Sequence, residues 1–336
     1  MKITIILARE YLKTRIMTAS PKYFIKGNLS EKQIEADVAS FFGWCTPIGE
    51  DSPFRILDID EQKTGADKLY DRATAIYMQF KKSSGLKSTK EVRPSKSKYR
   101  SPLEDIREFR AKHDLEQDPT LFFQLREKSK TAHDLQHNVL LGYERPFWSR
   151  AIYVAPLLLD KSQYSAELYN SANRFLLDPF IYKIAYSIHQ QNWISRFGAV
   201  PFLRAHISIP PHERVANHNH YYAYSEAGDD ISWHSPSTVE GEPSRLSDFT
   251  MKLFRNAMAD PDSMISTKAL ADKIAEISSD FGFQTMNNVR TESSIEYLGE
   301  HGRWLRETYG IRQFILLGRT KYYDEQRFNQ HTAKRG

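Results

Sequence analysis

ADKLYDRATAIYMQFK, residues 66–81, is the stretch on which the reading of this chain turns. Its second half, Thr74 to Lys81, alternates, and alternate residues of a strand share a face. Thr74, Ile76, Met78 and Phe80 form one set, mostly apolar and suited to a core beneath a helix. Ala75, Tyr77, Gln79 and Lys81 form the other, so Gln79 and Lys81 project side by side where the strand ends. The residues before it close on a turn at Asp71 to Ala73. If Tyr70 pairs with Thr74 across that turn, Asp67 comes opposite Tyr77, on the face carrying Gln79 and Lys81. A register shifted by one residue turns Asp67 away.

An acid, an amide oxygen and an ammonium meeting at one point suit hydrolysis of a phosphodiester. A hard cation such as Mg2+ takes oxygen ligands, which Asp67 and either the Gln79 side chain or the Phe80 carbonyl supply. The ion polarises the phosphate and acidifies its bound water. Lys81 orients that water and meets the charge growing on phosphorus. The plainer alternative for Asp67 and Lys81 is a surface ion pair on a hairpin, which explains neither the amide between them nor the helix upstream.

That helix is SEKQIEADVASFFGW, residues 30–44. Ser30 and Gln33 have capping-box spacing, and Ile34, Val38, Phe41 and Phe42 fall on one face. FRILDIDE, residues 54–61, is rich in strand formers, and with the segment Ala66 to Tyr70 and the strand 74–81 it reads as a meander. Between Lys81 and Arg100 the chain carries eight basic residues and one acid, Glu91. This stretch reads as a loop, with Ser, Gly, Pro and Lys dominating. Either it is a solvated insertion, or Lys82, Lys87, Lys90, Arg93, Lys96, Lys98 and Arg100 clamp a phosphate backbone without reading its sequence.

Farther on, helical patterns run over 102–113, 121–141, 164–176, 266–281 and 293–309. Apolar strands cover 151–158 and 311–318, and strands with turns fill 204–234. Gly282 and Gly310 sit where helix-ending glycines belong. Gly241 to Ser247 marks a weak boundary.

The Gly65-Ala66-Asp67 and Gln79-Phe80-Lys81 pairings, with Glu35 on the preceding helix, resemble the PD-(D/E)xK nuclease superfamily, in the variant where glutamine replaces the central acid. That variant is common among Mrr-like restriction enzymes, and EQKTGAD, residues 61–67, is similar to openings seen in nuclease domains of bacterial antiphage defence. The resemblance covers roughly residues 30–160. It implies an α/β fold: a restriction-endonuclease-like mixed sheet flanked by helices, over residues 1–160. Residues 161–336 form an α+β region that completes the core or docks a partner. It also implies that Glu35 joins Asp67 and Gln79 in holding Mg2+ or Mn2+, with Asp60 or Glu61 as substitutes if Glu35 points away. For Glu35 the alternative is a carboxylate favoured by the helix macrodipole. The expected activity is hydrolysis of DNA in prokaryotic defence, beside an ATPase or sensor protein. Gln79 departs from the commoner acid and removes a negative charge from the metal site. The alternative function is a catalytically inactive subunit that keeps the fold to bind nucleic acid or scaffold a complex.

His133, Gln136 and His137 lie within one helical turn, where they satisfy a packed helix, or where the resemblance implies that Gln136 or His137 reaches the substrate. His218 and His220, two apart on a strand, suggest a Zn2+ site that His234 or Asp229 completes, or simply a polar turn. Tyr221, Tyr222, Tyr224 and Trp233 suggest a stacking platform for bases, or core packing.

The bulk numbers agree with a soluble, folded protein. Of 336 residues 40% are hydrophobic and 12% aromatic, and 47 Lys and Arg against 42 Asp and Glu leave a net charge of +5. That excess points only weakly to a polyanionic partner. One cysteine, Cys45, excludes an intramolecular disulfide and a multi-cysteine zinc site. With no leader at MKITIILARE and no membrane span, a reduced cytoplasmic setting is expected.

Overall fold

The computed structural model describes residues 20–44, 54–58, 71–95, 101–177, 201–234, 244–259, 264–283 and 294–318. The strands are β1 (Phe24–Ile25), β2 (Phe54–Asp58), β3 (Arg72–Phe80), β4 (Ser84–Leu86), β5 (Thr120–Gln124), β6 (Ser149–Pro156), β7 (His206–Ile209), β8 (Tyr221–Tyr224), β9 (Ile231–His234), β10 (Ser244–Arg245), β11 (Ile265–Ser266) and β12 (Arg312–Gly318). The helices are α1 (Glu31–Trp44), α2 (Pro102–Lys112), α3 (Gln136–Gly142), α4 (Lys161–Leu177), α5 (Pro201–Arg204), α6 (Leu246–Ala259), α7 (Thr267–Asp280) and α8 (Ser294–Tyr309). The fold is α/β, as expected: the described residues form a seven-stranded mixed sheet and a five-stranded antiparallel one, flanked by helices.

β3 is central to the larger sheet, whose order is β10-β7-β6-β3-β12-β2, with β11 joined to the start of β3. β6 runs parallel to β3, and β12 runs antiparallel to it. A parallel pair requires a crossover; here it contains α2, β5 and α3. Alternation then divides β3 between two cores. Ala73, Ala75 and Tyr77 pack with α3, α7, α8 and the inner face of the small sheet. Ile76, Met78 and Phe80 pack with Ile34, Val38 and Phe41 of α1 and with α5 and α6. The expected apolar set thus lies under a helix, but its opposite face is buried too, beneath α3, α7 and α8, with β5 and β8 of the small sheet in the same core.

Three expectations are corrected. β2 does not neighbour β3: β12 lies between them, pairing Phe314 with both Asp58 and Ile76. The C-terminal half therefore supplies an inner strand of the core sheet. Residues 121–124 are strand, not helix, and bond to β4 and β8; a short apolar run satisfies either period, and only the partners choose. The basic stretch after Lys81 is not a free loop. It begins with β4, and Arg107 of α2 then gathers its backbone, donating to the carbonyls of Lys87 at 2.7 Å, Ser88 at 2.8 Å and Val92.

Helix ends follow local chemistry. Ser266 Oγ accepts from Ala269 N at 3.1 Å and starts α7, and Ser101 does the same for α2. Gly310 ends α8 at φ +66°, a left-handed conformation that suits glycine. At α1, Gln33 does not complete the capping box but donates to Asp37 at 2.9 Å. Among the described residues no helix is long and apolar enough to cross a membrane.

Candidate active site

Gln79 and Lys81 reach the same end of the large sheet on the same face, as the alternation of β3 requires. Both are buried, at 4% and 3% exposure. Lys81 prolongs the ladder, its N–H donating to Val154 O at 2.9 Å. Its ammonium donates to Gln136 Oε1 at 3.2 Å and lies 6.0 Å from the centre of the Tyr153 ring. Gln136 is the first residue of α3, and its Nε2 donates to the Tyr309 carbonyl at the end of α8. Burial pushes the Lys81 ammonium down to about 8, with Glu31 opposing the shift and Arg126 adding to it.

The amide of Gln79 is half satisfied. Nε2 donates to Phe80 O at 3.0 Å, which turns Oε1 the other way, and that buried oxygen has no hydrogen-bond partner. A buried acceptor without a donor is costly and uncommon.

The expected hairpin does not form at Tyr77. That residue lies between Gln313 of β12 and Ala151 of β6, so both edges of the strand are taken there. Asp67 lies outside the described residues, as do Asp60, Glu61, Lys96, Lys98 and Arg100.

Glu35 sits on the other face of the sheet from Gln79, since α1 packs on the Ile76 and Met78 side. Its Oε1 accepts from Arg312 Nη1 at 2.7 Å, and Arg306 lies 3.6 Å away. Arg312 also grips Asp58, with Nε 2.9 Å from Oδ2. The helix carboxylate beside the Lys81 end is Glu31, one turn earlier, which accepts from Lys82 N at 3.4 Å. Only its place in the first turn of α1 was a signal in the sequence.

Lys82, Lys90 and Arg93 are exposed and Lys87 is half-buried on the fastened stretch after Lys81. His137 is a core residue. Its Nε2 donates to Glu213 O at 2.7 Å, so Nδ1 accepts from Tyr153 OH at 2.8 Å; burial holds it neutral, pushed down to about 4. His133 donates its N–H to Tyr309 OH. The Zn2+ reading finds no support: among the described residues no group of three or more His, Cys, Asp or Glu is placed to hold a metal. Tyr222 and Tyr224 are fully buried, and Tyr221 leans on Phe122 with ring centres 6.1 Å apart. They line the core instead of forming an open platform. The side chains of Trp233 and His234 lie outside the described residues.

Gln79 Oε1 is the donor among these residues that fits a hard cation, being a buried oxygen with no other partner. Glu35 and Asp58 do not fit, because Arg312 neutralises both. One amide oxygen does not hold Mg2+ by itself, so a carboxylate such as Asp67 is required.

No protein-family model, no curated protein and no solved structure matches this chain.

Proposed function

We propose that this chain is a metal-dependent nuclease that hydrolyses DNA phosphodiester bonds, with Gln79 and Lys81 at its centre. One observation carries the reading. The central strand delivers a partnerless amide oxygen and a buried ammonium, two residues apart, to one end of the sheet. The unmatched oxygen is expensive to bury, and the ammonium has one neutral partner and no counterion in contact, an arrangement that a packed core does not need.

The chain's own residues divide the work. Gln136, anchored to the Tyr309 carbonyl, holds the Lys81 ammonium in place. Lys81 donates to the attacking water or to the phosphoryl oxygen on which charge accumulates. Lys82, Lys90 and Arg93 contact neighbouring phosphates of the backbone. Gln79 Oε1 and Asp67 would hold Mg2+ or Mn2+, which would supply polarisation of the phosphate and acidification of a bound water. A setting in prokaryotic antiphage defence, beside an ATPase or sensor protein, rests on the resemblance of residues 61–81 alone.

Incubation of plasmid DNA with Mg2+ or Mn2+ tests the reading, comparing the native chain with Lys81→Met. The variant should nick at least about 100-fold more slowly, the scale on which a lost charge-stabilising donor acts. Equal nicking by both proteins overturns the assignment. The second reading, a DNA-binding chain without catalysis, is favoured by the engagement of Glu35 and Asp58 with Arg312; it predicts retention of DNA with no cleavage in either metal.

A further inference from the structure

Arg126 is exposed on the stretch that follows β5, and no ion pair engages it among the described residues. Its Nη1 lies 3.1 Å from the point that a Cβ on Gly310 would occupy, and Gln136 Nε2 lies 3.6 Å from that same point. Guanidinium and amide are therefore neighbours over the backbone of Gly310. At the other end of that amide, Oε1 accepts from Lys81 Nζ at 3.2 Å. Two cations thus flank one neutral side chain, the inner one buried and the outer one open to solvent.

Neither cation has a carboxylate in ion-pair contact among the described residues. Glu31 acts on Lys81 only at a distance and turns Oε1 toward the Lys82 amide. Like charges gathered without a counterion repel, and anionic groups within reach of the two remove the repulsion. Gln136 is neutral, its Oε1 accepts from Lys81 and one Nε2 hydrogen is spent on the Tyr309 carbonyl, so it brings no charge to meet an anion. It is a positioning residue. The planar guanidinium of arginine matches the geometry of a phosphate, which it takes through two parallel N–H groups.

We propose that Arg126 and Lys81 form the two arms of a phosphate-binding subsite, with Arg126 the outer arm that holds the nucleic-acid backbone phosphate beside the one at Lys81. This inference rests on the nuclease reading of Lys81. The competing role for Arg126 is purely structural, a cation resting on the negative C-terminal end of α8.

Binding of a fluorescently labelled duplex oligonucleotide, read by anisotropy in EDTA over a series of salt concentrations, separates the two. Arg126→Gln should weaken binding about tenfold and lower the slope of log Kd against log salt by about one, the signature of one lost phosphate contact. Arg126→Lys should restore the slope and part of the affinity, and neither variant should change the melting temperature. If Arg126→Gln binds with native affinity and slope, or weakens only as its melting temperature falls, the subsite is wrong. If the native chain binds no oligonucleotide, the nuclease reading falls with it. If Lys81→Met weakens binding and Arg126→Gln does not, only the outer arm falls.

Discussion

The ammonium of Lys81 is joined to Gln136 Oε1 at 3.2 Å, across 55 residues of sequence. The same glutamine reaches the Tyr309 carbonyl through Nε2. One amide thereby links the end of the central strand, the start of α3 and the end of α8. Lys81 is held by tertiary structure, not by its own strand.

Removing that link should hurt more than removing the charge. Gln136→Ala leaves the ammonium and the Tyr309 carbonyl both buried and unmet, and should cost about 2–4 kcal/mol. Lys81→Met removes a desolvated charge of similar length but leaves Gln136 Oε1 unmet, and should cost about 1 kcal/mol, less than Gln136→Ala. Urea unfolding of both variants checks the order. A Lys81→Met variant as unstable as Gln136→Ala would contradict it.

Arg312 brings Glu35 and Asp58 together, with side-chain exposures of 8%, 22% and 21%. Arg312→Ala strands two half-buried carboxylates and should cost about 3 kcal/mol, the low end for a broken buried pair. Glu35→Gln should lower the melting temperature modestly and leave DNA cleavage per folded molecule unchanged. A loss of cleavage without a loss of stability would return Glu35 to the role that the resemblance implied.

His137, His206 and His301 are buried, and burial pushes each down to about 4. In the unfolded chain they take up protons near pH 6.5. The unfolded state therefore binds more protons between about pH 6.5 and 4, and stability falls as pH falls through that window. Each histidine should contribute a slope of roughly 1 kcal/mol per pH unit there. His301 is the cleanest test, since its Nδ1 donates to Gln313 Oε1 and its Nε2 accepts from Tyr143 OH. Unfolding midpoints at pH 7.5, 6 and 5 should decline, and less steeply in His301→Gln. A flat profile would show that these rings are not held neutral.

Arg107 is paired with Glu104 at 2.8 Å and directs Nε and Nη2 to the carbonyls of Lys87, Ser88 and Val92. Arg107→Lys cannot reproduce that fork. Amide exchange over residues 87–93 should accelerate by at least about tenfold, while exchange in β3 and β6 stays slow. Unchanged exchange in the turn would mean that the arginine does not organise it.

Local pattern was enough for the alternation of residues 74–81, for the amphipathic faces of α1, α7 and α8, and for the glycines that end the last two. It also placed Gln79 and Lys81 together, because neighbours of the same parity on one strand cannot part. Partners were beyond it. Nothing in FRILD or RQFILLG says that β12 enters between β2 and β3 from more than 200 residues away, and so the chain makes no meander there and Gln313, not Asp67, lies opposite Tyr77. Any apolar strand offers the same backbone groups to any edge, and the choice is made by what buries best over the whole molecule. The same holds for Glu35 and Glu31: both lie on one amphipathic helix, and only the arrival of Arg312 decided which carboxylate stays near the lysine. Periodicity is a property of neighbours in the chain, whereas pairing and charge compensation belong to neighbours in space.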